Sequence, residues 1–236
     1  MSQSGKASYW VVIPAAGVGR RMAGDMPKQY LPLNGRTVIE WSIAVFLARA
    51  DVSGIVVAIA ANDGHWSTLS CSRDSRVRTA LGGDERAASV LSALNSLAAE
   101  AHDDDWVIVH DAARPCLNPQ DLSRLISELA GDQVGGLLAS PVADTLKSAD
   151  SEQRVAATVS RGGLWRALTP QMFRFGVLRR ALALAAERGM LVTDEASAIE
   201  ILALRPKLIV GRADNIKITL PEDLVIAEKL LRGTHP

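Results

Sequence analysis

Short apolar runs that recur between helical patterns constrain the fold of this chain more than any other feature. The runs are Val11 to Ile13, Ile55 to Ile59, Gly135 to Ala139, and Trp106 to Asp111, which is apolar up to Val109. Unbroken apolar runs of this length are typical of strands that are covered on both faces. Their alternation with helices predicts an α/β fold, a Rossmann-like three-layer sandwich with a mostly parallel, twisted sheet.

Helix signals lie between these runs. Thr37 and Glu40 form a capping box before one helix, and Asn118-Pro119 begins another helix that ends at Leu129. We also predict helices over Glu85–Ala99, Arg174–Glu187 and Asp194–Leu204, and a weaker helix around Asp63–Leu69. A capping box at Thr219–Glu222 predicts the start of a final helix, which ends at Leu231. Short strands are predicted over Val77–Leu81, Lys207–Val210 and Ile216–Ile218.

Residues 140–164 interrupt the alternation of strands and helices. Polar residues dominate there, and a segment this long without a helix signal is usually functional or reaches outward. We predict a protruding antiparallel β-arm on a single domain that spans residues 1–236. Because a two-stranded arm is marginally stable alone in water, we expect it to pack on a second copy of the chain in a homodimer. A mobile surface loop is the alternative.

Composition excludes several classes of protein. The chain has 236 residues, 48% of them hydrophobic, and a formal net charge of zero, which argues against chain-wide attraction to nucleic acid or acidic membranes. The two cysteines, Cys71 and Cys116, have no CxxC spacing and are expected to be free thiols. No signal peptide and no membrane span is recognisable, so we expect a cytoplasmic location.

The stretch from Val11 to Tyr30 predicts a phosphate site. A buried strand leads into a loop of small residues that carries Arg20, Arg21 and Lys28, and such loops present backbone amides and positive charge to polyphosphates. The dinucleotide fingerprint fails at Met22, and the spacing of a Walker loop is absent. An ordinary strand-to-helix turn with solvated basic residues is the alternative.

Four groups of polar residues follow predicted strands. Because ligands bind at the carboxyl ends of strands in open α/β sheets, we expect these groups to converge at one edge. The groups are Ala15–Lys28, Gly82–Arg86 with Ser89, His110–Pro115 and Asp214–Lys217.

Asp111 directly follows a buried strand, so its carboxylate is predicted to lie at the rim of this crevice. A single carboxylate there suits Mg²⁺ bound jointly with substrate phosphates, and Asp214 is the natural second ligand. A helix N-cap or a salt bridge with Arg114 is the alternative for Asp111. The histidines form no constellation with a serine or cysteine, and no zinc-ligand spacing occurs. Chemistry carried by cations and Mg²⁺ indicates phosphoryl or nucleotidyl transfer.

These motifs resemble those of the sugar-nucleotide-type nucleotidyltransferases, and within them the 2-C-methyl-D-erythritol 4-phosphate cytidylyltransferase family. The first loop, Pro14–Met22 with Pro27–Tyr30, is similar to the signature of the superfamily. The narrower resemblance rests on motifs that follow in order over nearly the whole chain: Gly82–Arg86, His110–Pro115, Leu168–Gln171, Thr193–Ser197 and Gly211–Lys217.

The resemblance implies that CTP and methylerythritol phosphate react to give CDP-methylerythritol and pyrophosphate in the non-mevalonate isoprenoid pathway. It also implies Mg²⁺ as the cofactor and a homodimer whose arms hook across each other. Arg21 and Lys28 match the pair that steadies the triphosphate and the transition state, and Arg161 and Lys217 match the cations that hold the methylerythritol phosphate. These four are the predicted catalytic residues.

The resemblance assigns further binding roles. Thr145, Thr169 and Arg161 are expected to come from the arm side of the partner, and Asp111 and Arg114 complete the substrate site. Asp111 and Asp214 are the predicted metal ligands. The predicted nucleotide pocket consists of Ala15, Ala16, Gly17, Gly19, Gly83, Asp84 and Ser89.

Three other functions are alternatives. A cytidylyltransferase for another polyol phosphate, such as ribitol 5-phosphate, would use the same core. A non-catalytic nucleotide-binding protein would be favoured by loss of Arg21, Lys28 or Asp111, and all three are present. A nicotinamide dehydrogenase is disfavoured by Met22 in the fingerprint.

Overall fold

A seven-stranded sheet forms the centre of the molecule. The computed structural model describes residues 9–17 and 26–232. The strands of this sheet are β1 (Tyr9–Pro14), β4 (Val52–Ile59), β5 (Val77–Leu81), β6 (Trp106–Val109), β7 (Gly135–Pro141), β10 (Trp165–Arg174) and β11 (Lys207–Val210). Their order across the sheet is β11-β7-β10-β6-β1-β4-β5. Two short strands, β2 (Pro32–Leu33) and β3 (Arg36–Thr37), pair separately.

The sheet is parallel except for β10, which pairs antiparallel with both β6 and β7. The mostly parallel α/β fold is thus confirmed, but the sequence reading missed β10 and recorded its residues only as a motif. Strand β10 has no helix before it because it returns directly from the segment 140–164. The connection therefore lacks the strand–helix alternation on which the strand predictions relied.

Helices cover both faces of the sheet. They are α1 (Val38–Leu47), α2 (Arg86–Ser96), α3 (Pro119–Leu129), α4 (Phe175–Glu187), α5 (Glu195–Ile201) and α6 (Pro221–Arg232). Alternate residues of β1 serve the two faces: Val11 and Ile13 pack in a core with α1 and α3, whereas Trp10 and Val12 pack in a core with α2, α4 and α5. These side chains are buried, which is why the strands read as unbroken apolar runs.

Two predicted helix starts are confirmed in atomic detail. Thr37 and Glu40 form the capping box of α1, and the side chain of Asn118 accepts a hydrogen bond from the amide of Gln120 at the start of α3. The start of α6 was predicted wrongly. The carboxylate of Asp223, and not a Thr219–Glu222 box, accepts the amides of Thr219 and Leu220, each at 2.8 Å.

Two further predictions need correction. The segment 63–69 forms no α-helix: short 3₁₀ turns occupy Trp66–Thr68 and Ser70–Arg73. Ile216–Ile218 is not a strand, although the amide of Ile218 donates to the carbonyl of Ala113 at 2.8 Å. The apolar residues of this segment are explained by its packing against the loop that contains Ala113. Alternation of apolar and polar residues alone does not distinguish such a buried loop from a strand.

The segment 140–164 contains an antiparallel hairpin with a sheet of its own, formed by β8 (Leu146–Ala149) and β9 (Val155–Val159). The predicted antiparallel pairing is therefore present. Every residue of β9 is exposed, including Val155 at 66% and Val159 at 41%. Within the described ranges, no helix is both long enough and apolar enough to cross a membrane.

Candidate active site

The carboxyl ends of the parallel strands bring the predicted groups of polar residues together. The loop at 15–17 follows β1, Gly82-Gly83 follows β5, and His110 to Arg114 follows β6. The antiparallel strand β10 reaches the same edge at its middle, because Gln171 pairs with Val109 at the end of β6. The edge therefore combines loops that are far apart in the sequence, as expected for a ligand crevice.

Asp111 lies at the centre of this edge and binds three cations. Its Oδ1 accepts from Arg86 Nε at 3.0 Å, and its Oδ2 lies 3.3 Å from Arg114 Nε and 3.0 Å from Lys217 Nζ. Burial alone would raise the pKa of this carboxyl group, but the charges of Arg86, Lys217 and Arg114 outweigh burial and hold the pKa below its usual range. Asp111 is therefore ionised. Its contacts include the salt bridge to Arg114 that the sequence analysis gave as one alternative role for this residue.

Arg86 is braced from the opposite side by Glu195. The guanidinium donates from Nη1 and Nη2 to the two carboxylate oxygens of Glu195 at 2.5 and 3.0 Å. The side chain of Glu195 is only 1% exposed, so this pair is shielded from solvent. Both residues lie in motifs that the sequence singled out, but neither was given a role, because a contact across 109 positions has no local signal.

His110 completes a buried network and is not a general base. Its Nε2 faces the carbonyl oxygen of Arg114 at 3.0 Å and must donate, so Nδ1 of the neutral ring accepts from the Thr169 hydroxyl, also at 3.0 Å. That hydroxyl in turn accepts the amide of Asp111 at 3.1 Å. Burial lowers the pKa of His110 to about 4, which keeps the ring neutral.

The network corrects the predicted place of Thr169. Its side chain belongs to the site of its own chain, where it supports Asp111, and it is only 4% exposed. Asn215 donates to the carbonyl of Thr169 at 2.7 Å, and Arg114 donates to the carbonyl of Asn215 at 2.6 Å. Three loops are thereby tied together behind the carboxylate.

The first loop is held by a side chain to which the sequence assigned no role. The buried amide of Gln29 donates to the carbonyls of Ala15 and Gly17, at 2.8 and 3.2 Å. Lys28 next to it donates to the carbonyl of Ile218 at 2.8 Å, which places the lysine between the first loop and the segment that carries Lys217. Arg21 and Gly19 lie outside the described residues.

The loop after β5 approaches the first loop closely. A Cβ at Gly82 would lie 2.3 Å from the Cβ of Ala16, so only glycine fits there. The Ser89 hydroxyl accepts the amide of Gly83 at 3.1 Å and fixes the loop onto α2. The predicted nucleotide-pocket residues that the structure describes therefore meet along one wall.

Two cavities share the Arg86–Asp111–Lys217 cluster. One, of 170 Å³, is lined by Ala15, Ala16, Gly17, Lys28, Gly83, Asp84 and Ser89 together with the cluster. The other has a volume of 250 Å³. Its remaining lining includes Arg114, Leu168, Thr169, Gln171, Thr193 and Asp194. The Asp111 carboxylate and the cations Arg86 and Lys217 thus line both cavities.

Three predicted site residues are not brought to these cavities within the chain. Thr145 and Arg161 lie exposed in the segment of the hairpin, where Arg161 donates to the carbonyl of Ala143. Asp214 pairs with Arg212 and lines a different cavity from Asp111. The structure therefore does not place the two predicted metal ligands together.

Comparison with known proteins identifies the class. One solved structure, described as a 4-diphosphocytidyl-2C-methyl-D-erythritol synthase, superposes with a TM-score of 0.84 at 41% identity and covers 97% of this chain and all of its own. The 2-C-methyl-D-erythritol 4-phosphate cytidylyltransferase of Francisella tularensis superposes with a TM-score of 0.83 at 34% identity, covering 95% of this chain and all of its own. These similarities place the chain among the nucleotidyltransferases, and specifically among the cytidylyltransferases.

Sequence comparison narrows this class to one family. The 2-C-methyl-D-erythritol 4-phosphate cytidylyltransferase of Pseudomonas putida strain W619 is 59% identical over 218 residues, which is 92% of this chain and 93% of the relative. The 2-C-methyl-D-erythritol 4-phosphate cytidylyltransferase of Pseudomonas fluorescens strain SBW25 is 56% identical over 218 residues, again 92% of this chain and 93% of the relative. The chain belongs to the 2-C-methyl-D-erythritol 4-phosphate cytidylyltransferase family, whose model matches residues 9–233.

Proposed function

We propose that the protein transfers CMP from CTP to 2-C-methyl-D-erythritol 4-phosphate, giving 4-diphosphocytidyl-2-C-methyl-D-erythritol and pyrophosphate for isoprenoid precursor biosynthesis. Membership of the family supports this reaction. The observation in the structure that carries it is the pair of cavities that meet at Arg86, Asp111 and Lys217. A transfer between two phosphorylated substrates needs two anion-binding sites that adjoin each other, and both cavities are lined by the cations Arg86 and Lys217.

The residues are suited to an electrostatic role in an in-line attack. The attacking group is a phosphate monoester with a second pKa of about 6, so it is ionised at neutral pH and needs no general base. The barrier is the approach of one anion to another. Lys28 on the nucleotide side and Lys217 between the cavities offset that repulsion and align the two groups. The oxygen of the substrate phosphate bonds to the α-phosphorus as the bond to pyrophosphate breaks.

Asp111 fits Mg²⁺ as its single protein carboxylate. It is ionised and lines both cavities, and Mg²⁺ in nucleotide sites usually takes one or two carboxylates and completes its shell with phosphate oxygens and water. Among the described residues, no cluster of three or more His, Cys, Asp or Glu side chains could hold a metal without such help. When bound, the ion supplies positive charge to the triphosphate. A role for Asp214 as a second ligand stays a prediction.

The hairpin of β8 and β9 is proposed to dimerise the protein and to complete the site. Val155 and Val159 are exposed apolar side chains on a two-stranded sheet, which is marginally stable without a covering partner. Arg161, at the end of this hairpin, lines neither of the two active-site cavities of its own chain. A partner would place it beside the methylerythritol phosphate.

The cytoplasmic location also stays a prediction.

A pyrophosphate-release assay tests the reaction. The protein is mixed with CTP and methylerythritol phosphate, with Mg²⁺ or with excess EDTA, and ribitol 5-phosphate and erythritol 4-phosphate are compared as acceptors. We expect product only with Mg²⁺ and a kcat/KM highest for methylerythritol phosphate. Absence of product under both metal conditions would refute the proposal, and a preference for ribitol 5-phosphate would reassign the substrate.

A further inference from the structure

A separate cavity of 530 Å³ lies behind the active-site loops. Its walls come from α1, from the segment 115–119 that follows Arg114, from the loop that contains Arg212 and Asp214, and from the end of α6. Among the described residues it shares no lining side chain with the two active-site cavities. Its volume lies in the range of small-molecule sites, about 300–1,000 Å³.

The inner wall of this cavity is apolar. Trp41, Ala44 and Val45 of α1 face Leu117 and Leu230 across it. The indole nitrogen of Trp41 already donates to the carbonyl of Leu33 at 2.7 Å, so the ring offers only carbon surface.

Cys116 is a further part of that wall. Burial raises the pKa of its thiol to about 12, so the thiol is protonated at neutral pH and contributes no anionic ligand. These surfaces suit a hydrocarbon or aromatic body, and they do not suit a soft metal.

The polar side chains that line the cavity are mainly cationic. Arg36, Arg212 and Lys229 are exposed and line the same cavity. The one carboxylate there, that of Asp214, pairs with Arg212, so Arg36 and Lys229 supply the excess positive charge. Arg36 lies 4.8 Å from the centroid of the Trp41 ring, which connects the cationic rim to the apolar wall. An apolar interior with an excess of cations at its border is complementary to an amphipathic anion.

The walls of the cavity are connected to the active site by hydrogen bonds. Ser42 of α1 donates to the carbonyl of Ala112 at 3.0 Å, next to Asp111. Arg114, which precedes the wall at Pro115, donates to the carbonyl of Asn215, which follows the wall at Asp214. A ligand that shifts either wall would therefore move groups that position Asp111.

We propose that this cavity is a second ligand site that takes a small amphipathic anion. The apolar body lies against Trp41 and α1, and the phosphate or carboxylate head lies at Arg36, Arg212 and Lys229. Occupancy changes turnover through the two loops that support Asp111. Binding at this site is independent of which acceptor the enzyme uses, so the test of binding stands apart from the test of the reaction.

Calorimetric titration of the full-length protein with octyl phosphate tests the binding. We expect one bound molecule per chain and an affinity at least about tenfold higher than for octanol or octyltrimethylammonium, since the rim charge favours the anion. Octanoate distinguishes a preference for phosphate from one for any anion. Equal affinity for the neutral and cationic probes, or no binding at about 1 mM probe, would overturn the proposal.

Variants locate the site. Ala48→Phe, at the residue that follows α1, fills the cavity and is expected to abolish binding. Ala183→Phe, on the exposed side of α4, is the matched control and should leave binding unchanged. Arg36→Gln should weaken octyl phosphate but not octanol. Binding that survives Ala48→Phe in a folded protein would place the probe elsewhere. Unchanged pyrophosphate release in the presence of saturating octyl phosphate would refute the coupling.

Discussion

Asp111 is the residue on which the charges of the site converge. Its carboxylate fixes Arg86, Arg114 and Lys217 at 3.0 to 3.3 Å before any substrate binds. Cations that are held in place in advance cost no reorganisation when negative charge develops on the phosphates. The side chain of Lys217 is 42% exposed, so it is the partner that is most accessible to an incoming phosphate.

Lys28 provides the first prediction at the scale of the residue. We expect Lys28→Ala to lower kcat about 10²–10³-fold, because one cationic donor to developing charge is worth that much. Thermal unfolding should change little, since Lys28 is only partly buried. Lys207→Ala, which removes an exposed lysine paired with Glu128 on the surface, is the control and should retain full turnover. A Lys28→Ala enzyme with nearly normal kcat would contradict the proposed mechanism.

His110 predicts a pH dependence of stability. Its pKa is about 4 in the fold and 6.5 in the unfolded chain, so the unfolded state binds more protons between these values. The contribution is fully present above pH 6.5 and is lost as the pH falls towards 4, by about 3 kcal/mol. The low pKa of Asp111 affects stability only below about pH 4, outside this window.

Urea unfolding at pH 6.5 and 4.5 measures this loss. The variant His110→Gln should show a smaller decrease in unfolding free energy between the two pH values, whereas the exposed control His102→Gln should decrease as the wild type does. An identical decrease in all three proteins would show that His110 is not the titrating group.

At the scale of the elements, the crossing of the loops after β1 and β5 shapes the nucleotide side of the site. A Cβ at Gly82 would approach Ala16 to 2.3 Å, and the Ser89 hydroxyl to 3.2 Å. We expect Gly82→Ala to separate the loops, at a cost of about 1–3 kcal/mol, and to raise the KM for CTP. Gly64→Ala adds a methyl group into open space and should have no effect. An unaltered KM in Gly82→Ala would argue against this loop as part of the nucleotide site.

The hairpin of β8 and β9 predicts an effect on assembly. Val155→Asp and Val159→Asp introduce charge on the exposed apolar face and should convert the proposed dimer into monomers in sedimentation velocity experiments. Leu191→Asp, at a site outside the hairpin that is 81% exposed, should not. Intact dimers in the two valine variants would place the interface elsewhere.

At the scale of the whole molecule, the proposal that Arg161 acts on the partner's site can be tested by complementation. Lys28→Ala and Arg161→Ala are each expected to be nearly inactive alone. In a mixed dimer one site keeps both Lys28 and Arg161, so random exchange in a twofold dimer should restore about a quarter of normal activity. If Arg161 serves its own chain, every site in the mixture lacks one residue and no activity returns.

The class of fold, and the edge of the sheet at which the site lies, could be predicted from the amino-acid sequence. Unbroken apolar runs can be buried only on both faces of a sheet, so β1, β4 and β6 could be recognised without a partner. Asn118 and Thr37 predicted the starts of their helices correctly, because capping is a local interaction between residues two or three positions apart. The convergence of the polar loops could also be predicted, because a parallel sheet leaves room for a ligand at the carboxyl ends of its strands.

The contacts that couple these groups could not be predicted from the sequence and are seen only in the folded chain. The bonds from Arg86 to Glu195, from Asp111 to Thr169 and from Thr169 to Asn215 join residues separated by 109, 58 and 46 positions. The antiparallel course of β10, which brings Thr169 to the site of its own chain, leaves no periodic signal. Such contacts depend on the path of the chain through the sheet. Because the contacting residues are far apart in the sequence, no local sequence pattern predicts that they meet.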